Sequence, residues 1–153
     1  MTATSQTPRA GAVTLLDLVV GERHMLSEAL GALHPLDPAD RARAQRLALD
    51  TLRGLERADR LLARHMRKAP PLHVRNVLRQ ATVEICMGGD AHGVVNEAVA
   101  SVAADKRRAA LKGMVNAVLR KIAADGPAAW ARLRLPRLPK WLRAPLLDAY
   151  GAP

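Results

Sequence analysis

The chain has 153 residues, enough for one domain with a real core and too few for two comfortable ones, and 49% of it is apolar although it holds no Phe, one Tyr and two Trp. Its core must therefore be Leu, Val and Ala, and the scarcity of β-branched runs makes an all-α, compact helical bundle of about five to seven helices the default. A net charge of +10 points to a polyanionic partner, nucleic acid or an anionic membrane, against the plainer reading of a solvated basic surface set by arginine-favouring codon usage.

Residues 1–7 are polar and read as a disordered N-terminus. A first helix is predicted over 8–20, with Pro8 near its first position and Ala12, Leu15, Leu16 and Val19 on one face. A short helix is predicted at 25–32. Asp37, Pro38 and Asp40 then form a strong start signal: N-cap, N1 and N3. The helix they open carries the row Ala44, Leu47, Ala48, Leu52, Leu55, Leu62, Met66, with Gly54 marking a bend or break. If the phase holds, Arg46, Arg53, Arg57, Arg60 and Arg64 line one flank. That stripe is either a cationic contact surface or a solvated face paired with Asp50, Glu56 and Asp59.

"KAPPL" at 68–72 breaks the chain, and a helix over 72–87 buries Val74, Val77, Leu78, Ala81 and Ile85. "GGDAHG" at 88–93 reads as an ordinary inter-helix turn rather than a phosphate cradle. A helix at about 93–104 turns Val95, Ala98, Val99 and Val102 inward, and "DKRRA" at 105–109 leads into another. In that helix Leu111, Val115, Val118, Leu119 and Ile122 make the apolar face, and it is expected to end before Gly126–Pro127. Gly113 and Ala117 suggest close approach of a neighbouring backbone. Asn116 is expected to be buried and to satisfy a helix terminus near Asn96. Residues 126–153 are broken by prolines and read as a linker into a helical segment near 141–150, where Trp141, Leu146 and Tyr150 need a packing partner.

No nucleotide-binding glycine motif, no H-E-x-x-H and no C-x-x-C occurs, and the five histidines show no i, i+4 pair, so no metal and no catalytic residue is expected. Cys86, the only cysteine, is expected to be a small boundary residue and fits a reducing, cytoplasmic setting. Neither a secretory signal nor a bilayer-length apolar run is present in the sequence, so no membrane partner is expected. Lys112, Arg120 and the Lys106–Arg107–Arg108 cluster suit non-specific phosphate contact. Few aromatics argue against base stacking.

"AHGVVNEAVASVAADKRRAALKGMVNAVLRKI", residues 91–122, resembles the NusB-like domain family. Asn96, Glu97, Ala98 and Val99 match its Asn-Glu-Ala-Val, and Val115, Asn116, Val118 and Leu119 its Val-Asn-x-Val-Leu helix. "DTLRGLERADRLL" (50–62) and "LRQATVEICMG" (78–88) sit where two further segments fall, with Asp50 and Val83 replacing the usual Gly and Tyr. The likeness covers 8–125. It implies one of two functions. The favoured one is the N-terminal RNA-binding domain of the Sun/Fmu type of 16S rRNA cytosine-C5 methyltransferase, which has a similar Lys-Gly before the Val-Asn and a similar Leu-Pro-x-Trp-Leu…Tyr-Gly tail. The other is the free-standing antitermination factor, which binds leader RNA with a small-subunit ribosomal protein. The first implies 16S rRNA as partner and, in cis beyond this chain, a catalytic domain using S-adenosylmethionine; this chain itself would hold no cofactor. Candidate RNA-contacting residues are Arg9, Arg46, Arg79, Lys106, Arg107, Arg108, Lys112 and Arg120, and Asn96, Glu97 and Asn116 are expected in structural polar roles.

Overall fold

The computed structural model describes residues 6–133 and 140–151. Residues 1–5, most of the segment expected to be disordered, and 134–139, within the expected linker, lie outside the described residues. The described part contains eight α-helices and no strand: α1 (Pro8–Leu16), α2 (Leu26–Ala29), α3 (Pro38–Arg53), α4 (Leu55–Ala63), α5 (Leu72–Cys86), α6 (Ala91–Ala104), α7 (Lys112–Arg132) and α8 (Lys140–Tyr150). The all-α bundle is as expected. The count exceeds five to seven because Gly54 splits one long helix in two.

The helix starts follow from local chemistry. The Thr7 hydroxyl accepts from the Ala10 N–H at 3.1 Å with Pro8 at the first helical position. Asp37 accepts from the Asp40 N–H at 2.9 Å with Pro38 behind it. Pro71 precedes α5. At the far end of α5 the chain reverses through Gly88, whose φ of 96° lies in the left-handed region, and the Gly89 N–H bonds the Glu84 carbonyl at 2.8 Å. The glycines of 88–89 thus serve a turn, and Gly93 lies inside α6.

The described helices form two packed groups. Ala12, Leu15, Ala29, Leu33, Leu36, Ala44 and Ala48 knit α1–α3 together. A larger core from α4–α7 includes Leu61, Leu62, Val74, Leu78, Val94, Val102, Leu119 and Ile122, and Val13 of α1 reaches into it.

Three expectations need correction. α1 does not continue to residue 20 as an α-helix: Asp17–Gly21 widens into a π-turn, which lets the Asp17 carboxylate meet His73 and Asn76 of α5 at 2.6 and 2.8 Å. α7 does not stop before Gly126–Pro127 but runs to Arg132, because Trp130 is buried against Gly54 at the α3–α4 break and against the guanidinium of Arg57, 4.2 Å from its ring. Gly113 does not admit a neighbour: it is exposed and nothing stands within 4 Å of where its Cβ would be. In α8, Trp141 and Tyr150 are 76% and 85% exposed.

Candidate nucleic-acid interface

α5, α6 and α7 follow one another up, down and up, so the start of α5, the end of α6 and the start of α7 share one end of the bundle. α5, α6 and α7 each pack against the other two in the larger core. The loop from α4 to α5 descends to the same end. Residues 64–75 carry Arg64, Arg67, Lys68 and Arg75 and no acid; residues 105–112 carry Lys106, Arg107, Arg108 and Lys112 and one acid, Asp105. That single carboxylate is tied down locally. The Arg107 backbone N–H donates to it at 2.9 Å and the Arg108 guanidinium bonds it, and together they outweigh desolvation and hold its pKa below the usual carboxylate value. Arg64, Arg67, Lys68, Lys106, Arg107 and Lys112 remain exposed.

The candidate residues from the sequence therefore separate. Lys106, Arg107 and Lys112 stand together and open to solvent, with Arg108 beside them but bonded to Asp105. Arg120 is exposed two turns further along α7, where its Nε donates to the Asn116 carbonyl oxygen at 3.2 Å. Asn116 consequently satisfies no helix terminus; its amide faces the surface with Arg120. Asn96, expected near that terminus, shares a 3.1 Å hydrogen bond with His92 on the exposed side of α6.

Arg9 and Arg79 are not surface cations. Arg9 donates to Glu84 at 2.7 and 2.9 Å and to Glu97 at 2.6 Å, which clamps α1 to α5 and α6; the same Glu97 carboxylate accepts from Thr7. These bonds hold the guanidinium pKa above its ordinary value despite partial burial. Arg79, with only 8% of its side chain exposed, donates to Asp59 at 2.7 and 2.9 Å and to Asn76 at 3.0 Å. The result is one continuous polar chain, His73–Asp17–Asn76–Arg79–Asp59, joining the turn after α1 to α5 and α4. Arg46 lies at the opposite end of α5, where it and Arg43 border a cavity of about 320 Å³ beside Glu84 and Gly88. The expected stripe on α3 and α4 is likewise interrupted: Arg57 turns onto Trp130 and Arg60 faces Glu56 at 4.0 Å.

Arg67, Lys68 and Arg75 escaped the sequence reading. The available signal was an acid-free run, 64–75, straddling a proline break, next in space but not in sequence to 105–112. Cys86 is half-buried, and burial pushes its thiol up to about 11, the wrong direction for a nucleophile. Among the described residues no group of three or more His, Cys, Asp or Glu side chains could hold a metal ion, and no helix is long and apolar enough to cross a membrane.

No curated protein matches the chain at a significant level. The NusB family pattern matches residues 6–124, from the cap of α1 to the middle of α7. On that match, which spans most of the sequence and both packed groups of helices, the chain belongs to the NusB family.

Proposed function

We propose that this chain is an RNA-binding module that docks 16S ribosomal RNA for the catalytic domain of a cytosine-C5 methyltransferase joined to it in cis. The observation that carries the RNA-binding part is the gathering of eight cations from residues 64–75 and 105–112 at one end of the bundle, with one locally neutralised acid among them. Family membership supports the same reading. Binding through such side chains is electrostatic and sequence-independent, driven by release of counterions from the phosphates. Bond-making belongs to the joined domain, which would supply S-adenosylmethionine and the cysteine nucleophile. The Lys-Gly before Val115–Asn116 and the segment 138–151 favour this branch of the family.

The test is binding of a 16S rRNA fragment, with methyl transfer assayed alongside. The chain alone is expected to bind in a salt-sensitive way and to transfer no methyl group; reversing the charges of Lys106, Arg107 and Arg108 is expected to abolish binding. Unchanged affinity after reversal would refute the interface. The second reading, an antitermination factor, is favoured instead if a small-subunit ribosomal protein binds the chain and leader RNA strengthens that complex.

A further inference from the structure

α6 stands apart from the cationic surface around it. From Ala91 to Ala104 its one charged residue is Glu97, and Arg9 takes that charge up. Between α6, α1 and α5 lies a groove of about 250 Å³. Val13, Val77, Val94 and Ala98 form its apolar floor, and Ala10 and Ala104 at its edges are too short to fill it. Its polar side chains are already used: Thr7 and Arg9 bond Glu97, and the Gln80 amide donates to Glu84 at 2.8 Å. A phosphate finds no free cation there, whereas an apolar side chain leaves no polar group stranded by entering. Two further cavities are unlike it, bordered by Arg43, Arg46, Asp50 and Glu84 or by Asp59, Arg75 and Arg79.

α8 carries the matching surface. Leu146, Leu147 and Tyr150 fall within about 100° of one another round the helix. All three are exposed, and among the described residues none from α8 belongs to either packed core. The groove is within reach. α7 ends away from the basic end, and α6 packs beside it. A stretch the length of 134–139 reaches at most about 20 Å, enough to cross one helix whose neighbours lie about 8–10 Å to either side. Running from there toward the basic end, α8 lies parallel to α6. Beyond Glu97 the groove follows α6 for two turns to Ala104, about 10 Å, and the span from Leu146 to Tyr150 is about 6 Å. So short a tether holds α8 near the groove at an effective concentration on the order of millimolar, which favours it over a free partner. We propose that α8 seats Leu146, Leu147 and Tyr150 in the α1–α6 groove of its own chain, removing apolar area from water on both sides. α8 then ends beside Ala104, next to the cationic run 105–112. On the methyltransferase reading this brings the joined domain to the RNA-binding end; the docking itself does not rest on that reading.

Disulfide trapping on the full chain tests it, in a Cys86→Ala background. Ala104→Cys is paired with Ala149→Cys, and Ala124→Cys on α7 with Ala149→Cys serves as the reference; all three alanines are exposed, so the fold is undisturbed. Oxidation in dilute solution is expected to close the 104–149 bridge within one chain about tenfold faster than the 124–149 bridge. Adding Leu146→Asp and Leu147→Asp should bring the two rates together. Equal rates for the two pairs, or a 104–149 rate indifferent to the aspartates, overturns the docking. A bridge that joins two chains overturns it in favour of a second copy as the occupant. None of these readouts involves RNA, so the docking and the RNA-binding reading fail separately.

Discussion

Glu84 sits with only 10% of its side chain exposed and still carries a charge. Burial alone would push its carboxyl up; hydrogen bonds from Arg9 and Gln80 and the nearby charges of Arg9 and Arg43 outweigh that and bring its pKa below the ordinary value. A carboxyl lowered on folding contributes stability above its unfolded pKa, and that contribution is lost as pH falls through the folded value. Arg9→Ala removes the main partner and leaves Gln80 and, at 3.9 Å, Arg43. We expect a loss of about 2 kcal/mol at pH 7 in urea unfolding, less than for a fully enclosed pair because those two partners remain. In the variant burial dominates, so Glu84 takes up a proton more readily folded than unfolded. The gap between variant and wild type should therefore narrow as pH falls below about 5; a gap that widens there would contradict the assignment of Arg9 as the group that keeps Glu84 ionised. Cys86 shows the opposite balance. With its thiol pushed up to about 11, it should react with iodoacetamide at pH 8 roughly a hundredfold more slowly than an ordinary cysteine.

Between α3 and α4, Gly54 decides the path of the chain. A Cβ there would stand 2.7 Å from the Trp130 ring, so the break and the burial of Trp130 are one packing event. Gly54→Ala gains roughly 1 kcal/mol of helix propensity but overpacks the ring, at a cost of about 1–3 kcal/mol. The expected net result is destabilisation with a change in Trp130 fluorescence, and Trp130→Leu in the same chain should relieve the clash. Gly54 was legible as a weak point in the sequence because glycine interrupts a clear apolar row. Its reason was not, because the partner lies 76 residues away. The end of α7 was misread for the same cause. Pro127 inside a helix costs roughly 3 kcal/mol, so local rules place the stop before it; burial of Trp130, worth about 3–5 kcal/mol when such a side chain is removed, overrides them. A chain ended at residue 125 should accordingly unfold at markedly lower urea than one ended at residue 133, and equal midpoints would show that the last two turns of α7 add nothing to the core.

Seen as a whole, the bundle conceals from a reader of the sequence which of its arginines are committed to internal carboxylates. Periodicity predicts the helices well, since Leu, Val and Ala recur at helical spacing and Asp37 and the proline pairs mark the ends. It cannot tell a free cation from a clamped one. Arg9 and Arg79 are spent on Glu84, Glu97 and Asp59, residues 20–88 positions away, whereas Lys106, Arg107 and Lys112 stay open because the only acid in their run, Asp105, is taken up locally by Arg108 and the Arg107 backbone. Nor does it show that 64–75 and 105–112 share one end of the bundle, because that follows from the alternating direction of three helices. If this shared end is the RNA surface, its charges should act as one set. For single-stranded RNA, each neutralised phosphate adds about −0.7 to the slope of log affinity against log salt. Arg67→Gln with Lys68→Gln, and separately Lys106→Gln with Arg107→Gln, should each flatten the slope by about 1.4, and the four together by about twice that. Arg43→Gln with Arg46→Gln, at the other end of α5, should leave the slope unchanged. Equal flattening by all three pairs would mean that the polyanion samples the whole basic surface and that the geometry of the α5–α7 end confers no preference.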